Sequence, residues 1–251
     1  MIWLKFLLCL IVIGVAGARL SRYGDVIAEK TGLGRNWVGL VLMATVTSLP
    51  ELVTGISAVT VVGAPNIAIG DVLGSCVFNL AILVVVDFLY REESVYTRAS
   101  RGHILAAGFC VVLIGFTGLS LIMAPLGADL AIGHVGAYTP LFILLYLLAM
   151  RSVYQYQKRE MAEFVEESAA RYEDVSLREA AIGYGVAALF VVAAGTWLPF
   201  VGEEIAHLMG WEQSFVGTLF IAGATSAPEI AVTIAAVRIG ALDMAIANLL
   251  G

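Results

Sequence analysis

The sequence predicts an all-α fold: a polytopic bundle of membrane-crossing helices, built as two inverted five-span repeats with broken helices at the midplane. Three observations carry this. The 251-residue chain is 60% hydrophobic and 14% charged, against about 25% charged in an ordinary soluble domain, and its mean hydropathy is +0.93. Its apolar residues come in continuous runs, which excludes the alternating pattern of a closed β-barrel. Finally, proline followed by glutamate occurs inside two of these runs, at Pro50-Glu51 and Pro228-Glu229. Proline removes a backbone donor and breaks a helix locally, and a carboxylate in hydrocarbon costs about 2.5 to 3.5 kcal/mol even on the mildest insertion scales.

In chain order, runs of the about 17 to 25 residues needed to cross a bilayer fall at 2–20, 36–62, 66–89, 103–124, 130–150, 179–201 and 214–238, and an eighth begins near 241. The first has a competing reading as a signal peptide, with Lys5 as its basic end and Ala16-Gly17-Ala18 as a cleavage site. The second contains "ATVTSLPELVTG" (Ala44 to Gly55), and the third "GDVLGSCVFN", in which Asp71, Ser75 and Asn79 share one helical stripe at i, i+4 and i+8. Gly70 and Gly74 in the same run permit close helix approach. The fourth and fifth carry no comparable polar pattern. Between the fifth and sixth, residues 151–178 mix bases with acids and read as a solvated helix or linker. The seventh contains "AGATSAPEIAVT" (Ala222 to Thr233).

Charge supplies orientation. Thirteen of the 14 Lys and Arg residues lie in the connections after the first, third, fifth and seventh runs, and Lys5 is the exception. By the positive-inside rule that side is cytoplasmic, which puts the N-terminus outside and the loop at 151–178 in the cytoplasm of a multi-pass protein of the inner or plasma membrane. The net charge of −6 argues against a nucleic-acid partner. Cys9, Cys76 and Cys110 form no spaced framework and read as small buried hydrophobes, and His103, His134 and His207 are too dispersed for a metal-ligand pattern.

A shift of 178 superimposes Thr47-Ser48 on Thr225-Ser226, Pro50-Glu51 on Pro228-Glu229, and Ala16-Gly17 on Ala194-Gly195; past one inserted residue, Leu73-Gly74 meets Leu250-Gly251. The first run is thus the equivalent of the sixth, a span rather than a cleaved leader. Five spans per copy is odd, so the second copy enters the membrane upside down. This divides the chain into a first repeat (1–150, motif 44–80), the loop (151–178) and a second repeat (179–251, motif 222–251). Inverted repeats with interrupted helices at matching positions are the mark of a secondary transporter with a midplane site. Thr47 and Glu51, like Thr225 and Glu229, are four apart, so each pair shares a helix face if the helix continues through the proline. Two carboxylates with hydroxyl and freed carbonyl oxygens suit a hard cation such as Ca²⁺, which takes about six to eight oxygen ligands. Asp71, whose repeat partner is Asn248, reads as nearer the outer mouth than the site and as a weaker candidate for a metal ligand. An intramembrane hydrolase would need a partnered base, and no histidine falls at mid-span. A passive channel would conduct without a counter-ion gradient.

These motifs resemble the α-repeats of the sodium/calcium exchanger branch of the calcium/cation antiporters: "TSLPELVTGISA" with "GDVLGSCVFN", then "TSAPEIAVTIAA" with "IANLLG". The proton-coupled branch usually reads G-N-x-x-E at this place. The resemblance implies ten spans, of which about seven and a half are present, and sequence continuing beyond Gly251. It implies alternating access with Ca²⁺ leaving as Na⁺ enters, and not an enzyme. By match it implies metal ligands at Thr47, Ser48, Glu51, Ser75, Asn79, Thr225, Ser226 and Glu229, with backbone carbonyls near Ala44 and Ala222. One departure is Val46 directly before Thr47, where the family usually has glycine close by. The same fold exchanging Ca²⁺ or Mg²⁺ for H⁺ is the alternative. No cofactor and no protein partner is implied; the partners are the bilayer and the transported cations.

Overall fold

A computed structural model describes residues 1–31, 48–89, 101–123, 131–132, 135–136, 138–168, 175–238 and 242–250. The helices are α1 (Ile2–Thr31), α2 (Leu49–Ser57, extended by a π-helical turn Ala58–Val62), α3 (Pro65–Leu89), α4 (Arg101–Met123) and α5 (Tyr138–Ser168). They continue with α6 (Leu177–Met209), α7 (Gln213–Thr225, with a π-helical turn at Gly217–Ile221), α8 (Ala227–Arg238) and α9 (Leu242–Leu250). The strands β1 (Ala131–Ile132) and β2 (Val135–Gly136) pair antiparallel. The predicted all-α class holds.

Among the described residues four helices are long and apolar enough to cross a membrane: Ile2–Ile27, Pro65–Phe88, Gly102–Met123 and Leu177–Met209. The pair α7 and α8, bent by 44°, makes a fifth if it is one span. Two shorter apolar helices, Leu49–Val62 and Tyr138–Val153, occupy parts of the predicted second and fifth runs. Residues 36–47 of the second run lie outside the described residues. The fifth starts later than its hydropathy suggests, at Tyr138, because the preceding residues turn back through β1 and β2. The first and sixth outrun their apolar cores, to Thr31 and Met209. The first passes through Gly24 and the sixth through Pro199 and Gly202 without ending, and α6 stops only at Gly210. That glycine closes α6 at φ +67, with its N–H on the Ala206 carbonyl. Gly63 (φ +75) ends the π turn after α2, and Pro65 opens α3 at the position where its missing N–H costs least. Much of the 151–178 segment is a continuation of α5 to Ser168, and Ser176 then caps α6 by accepting from the Glu179 N–H at 3.2 Å.

The long helices α1 and α6 pack antiparallel: Lys5 Nζ reaches Glu204 Oε2 at 2.8 Å near one end, while Tyr23 lies against Gly183 near the other. Around the Lys5 end, Trp3, Phe6, Trp211, Phe215 and Phe220 form an aromatic cluster with ring centroids 5.4 to 6.4 Å apart, as suits a membrane interface. Each long helix seats one of the proline-broken helices. A Cβ on Gly17 of α1 would stand 2.3 Å from Pro228 Cγ, and one on Gly195 of α6 would meet Val53 Cγ1 at 3.2 Å. In lipid, where apolar burial gives little drive for helix association, such close van der Waals contact through small residues holds helices together. The main core joins Ile13, Ile67, Leu198, Val201, Ile205 and Ile221, from α1, α3, α6 and α7.

Candidate functional site

The two proline-glutamate motifs take the same local form. Ser226 (φ −79, ψ 2) stands between α7 and α8, and Ser48 (φ −86, ψ 8) stands immediately before α2. Each carbonyl accepts the first N–H beyond the glutamate: Leu52 N to Ser48 O at 3.0 Å, Ile230 N to Ser226 O at 3.2 Å. The proline, second residue of its helix in both copies, places Glu51 and Glu229 in the first helical turn, where the positive end of the helix dipole favours a carboxylate.

Between these helices runs α3. A Cβ on Gly70 would come within 2.7 Å of the Ser214 carbonyl, and one on Gly74 within 2.5 Å of the Thr218 carbonyl. Only glycine permits this approach, and it carries Asp71 and Ser75 onto α7. Asp71 is fully buried, and its Oδ1 accepts the Thr225 hydroxyl at 2.9 Å. Thr225 Oγ1 also lies 3.2 Å from the Ala222 carbonyl and 3.4 Å from Ser75 Oγ. Glu51, on α2, is within electrostatic range of both Glu229 and Asp71. The structure therefore brings Glu51, Asp71, Ser75, Thr225 and Glu229 into one neighbourhood, including the aspartate that the sequence reads as nearer the outer mouth.

Six buried side-chain oxygens have no hydrogen-bond partner among the described residues: Glu51 Oε2, Thr54 Oγ1, Asp71 Oδ2, Asn79 Oδ1, Ser226 Oγ and Glu229 Oε2. A buried polar atom left unpaired costs about 1 to 3 kcal/mol, more when charged. Five of the six belong to residues singled out from the sequence. Carboxylate and amide oxygens are acceptors, so a positive ion satisfies such a set better than another protein group would. Among the described residues no three Asp, Glu, His or Cys side chains close on a single point by themselves. Hydroxyl, amide or backbone oxygens would have to complete any coordination shell here.

The other predicted positions are less uniform. Ser48 is exposed, in contrast to Ser226 at 1% exposure. The Ala222 carbonyl is already engaged, accepting from Ser226 N at 2.9 Å and standing 3.2 Å from Thr225 Oγ1. Thr47 and Ala44 lie outside the described residues. Two buried threonines escape sequence reasoning: Thr54, three residues past Glu51, and Thr233, four past Glu229. Helical periodicity was the available signal, since both share a face with their glutamate. Asn248 donates to Thr233 Oγ1 at 3.0 Å and to the Glu229 carbonyl at 3.3 Å, tying α9 to α8. Of the cysteines, Cys9 is buried, Cys76 half-buried and Cys110 exposed on α4.

Comparison with known proteins identifies the family. The model of the family "Sodium/calcium exchanger protein" matches residues 1–154 and 179–251, leaving out the later part of α5 and the stretch that leads into α6. The inner membrane protein YrbG of Escherichia coli (strain K12) is 23% identical over 248 residues, covering 96% of this chain and 72% of the relative. The uncharacterized membrane protein MJ0091 of Methanocaldococcus jannaschii is 24% identical over 251 residues, covering 98% of this chain and 75% of the relative. With its several apolar spans and a match over most of its length, the chain belongs to the sodium/calcium exchanger protein family of multi-pass membrane transporters, which are not enzymes.

Proposed function

We propose that the protein is a secondary active antiporter that exchanges Ca²⁺ for Na⁺ by alternating access, with Glu51 and Glu229 as the carboxylates for which the two ions compete. The observation that carries this reading is the set of unpartnered buried oxygens around the two helix breaks, three of them on carboxylates. Two carboxylates neutralise one divalent ion or two monovalent ions, so one occupant displaces the other and exchange follows rather than cotransport. Thr225, Ser226, Ser75 and Asn79 supply neutral oxygens, and Thr47, Ser48 and a carbonyl near Ala44 supply them from the first motif. The antiparallel run of α1 against its sequence equivalent α6 supports inverted repeats, as does the seating of each broken helix on the long helix of the other half. In this reading the N-terminus is outside, the segment at 151–178 is cytoplasmic, and the host is the cell's inner or plasma membrane.

The test is calcium-45 uptake by the full-length protein in sodium-loaded vesicles, diluted into sodium-free medium with or without an imposed pH step. Uptake that requires the outward sodium gradient is expected. Uptake driven by the pH gradient alone would move the same site to exchange of Ca²⁺ or Mg²⁺ for H⁺, and uptake without any counter-ion gradient would make the protein a channel.

A further inference from the structure

The exchange reading uses two carboxylates, yet among the described residues three have a buried oxygen without a partner: Glu51, Asp71 and Glu229. Asp71 is 0% exposed, one of its oxygens accepts from Thr225 at 2.9 Å, and the other, Oδ2, has no partner among the described residues. Helices α2, α6, α7, α8 and α9 pack against α3. The carboxylates within electrostatic range are Glu51 on α2 and Glu229 on α8, and no described Lys, Arg or His pairs with Asp71. An isolated buried anion costs several kcal/mol, so a purely structural hydrogen-bond acceptor would be better made as asparagine.

Thr225 shows what the charge does. Its hydroxyl has one proton and several oxygen neighbours: Asp71 Oδ1 at 2.9 Å, the Ala222 carbonyl at 3.2 Å, Ser75 Oγ at 3.4 Å and, from α2, the Glu51 carboxyl. A charged acceptor forms the stronger bond, and Asp71 Oδ1, at the shortest distance, takes the proton. The Thr225 lone pairs are then left to face a cation, and Ala222 is left to its backbone partner. Oδ2 of Asp71 stands open in the same neighbourhood. Glycines on either side, at Gly70 and Gly74, hold α3 so tightly against α7 that Asp71 cannot withdraw.

We propose that Asp71 is a third charged ligand of the transported ion, and the residue that sets the preference for a divalent over a monovalent cation. The proposal rests on the reading of Glu51 and Glu229 as the transport site. Affinity for Ca²⁺ follows the number of charged ligands, whereas a monovalent ion is already over-neutralised by two carboxylates. Asp71→Asn isolates the charge, because asparagine keeps an oxygen that accepts from Thr225.

The experiment measures half-saturating Ca²⁺ and half-inhibiting Na⁺ for uptake by wild type, Asp71→Asn and Asp71→Glu in vesicles. Asp71→Asn should raise half-saturating Ca²⁺ by about tenfold or more and shift the Na⁺ value less than about threefold, while Asp71→Glu restores most of the calcium affinity. Equal shifts for both ions, or none for either, would overturn the proposal. Should Asp71→Asn abolish uptake in a folded protein, equilibrium binding decides: calcium binding lost with sodium binding kept supports it, and loss of both overturns it. Should the asparagine variant not fold, Asp71→Ser, whose hydroxyl can still meet Thr225, takes its place with the same expected outcomes. Failure of the underlying exchange reading is separately visible, as wild type that takes up no calcium under either gradient.

Discussion

The two helix breaks have nearly superimposable backbones and very different surroundings. Ser48 and Ser226 differ by less than about 10° in φ and ψ and accept the same hydrogen bond from four residues on. Yet Ser226 and Glu229 are 1% and 6% exposed, while Ser48 is exposed and Glu51 only half-buried. Four consecutive residues, ending in proline and glutamate, suffice to set the break, because proline imposes its φ and removes one donor wherever it stands. Burial of the acid is not local. At Glu229 it comes from α1, whose Gly17 lets Pro228 come against its backbone, and from α9, whose Asn248 caps the Glu229 carbonyl. The first motif rests instead on α6, through Ser57 Oγ donating to the Thr196 carbonyl at 2.8 Å and Thr54 facing Gly195.

The largest expected effect ignores this difference. If both acids hold the same ion, Glu51→Gln and Glu229→Gln should each lower calcium exchange by at least about a hundredfold, since each removes a charged ligand and one of the negative charges that balance a divalent ion. Size-exclusion profiles should stay those of folded protein, glutamine being near-isosteric. Calcium-45 uptake near wild type in either variant would break the equivalence and with it the two-carboxylate site.

Next come the seats of the breaks. A Cβ at position 17 would stand 2.3 and 2.8 Å from Pro228 Cγ and Cβ, too close to remain, and a proline ring cannot swing aside. Gly17→Ala should therefore cost about 1 to 3 kcal/mol of overpacking and displace Glu229 with the proline. At Gly195 the new atom meets Val53 Cγ1 at 3.2 Å and Thr54 Oγ1 at 3.3 Å, contacts that side chains relieve by small shifts. The helix propensity gained there, up to about 1 kcal/mol, offsets the crowding, so Gly195→Ala should be nearly neutral. Thermal melting in detergent separates the two; equal losses of Tm would mean that the halves seat their broken helices equally tightly.

Sequence made much of this legible, for identifiable reasons. Spans and breaks are local properties of hydropathy and proline, so α1, α3, α4, α6 and the bent α7 and α8 fall where the apolar runs place them. Most of the candidate residues also follow from the repeat, because two matched acids in hydrocarbon need a common purpose. Positions that depend on which helix faces which were not legible. Asp71 reads from its place in the repeat as a weaker candidate near the outer mouth, and only the glycine-mediated contact of α3 with α7 carries it onto Thr225. Thr54 lies on the face of Glu51 but has no counterpart in the second copy, where Val232 stands, so the repeat passes over it. The starts and stops of α5 and α6 depended on capping and on the β1–β2 turn, neither of which hydropathy registers.

The finest test returns to the two serines. Ser226 Oγ is buried and without a partner among the described residues, whereas Ser48 is exposed. A buried hydroxyl kept for a cation should matter through affinity: Ser226→Ala removes one neutral oxygen ligand and should raise half-saturating Ca²⁺ by roughly three- to tenfold, the worth of about one hydrogen bond or a little more. Maximal rate should change less, because the hydroxyl carries no charge. Ser48→Ala removes a group that water already satisfies in this conformation, and the shift should stay under about twofold. If exchange passes through a state in which the first break is the closed one, however, Ser48 becomes the buried hydroxyl there. The asymmetry should then reverse when calcium is presented from the opposite side of the membrane. Concentration dependence measured in right-side-out and inverted vesicles reads this directly. The same ranking from both sides would show that the difference between the serines is a fixed property of the two halves and not one phase of the transport cycle.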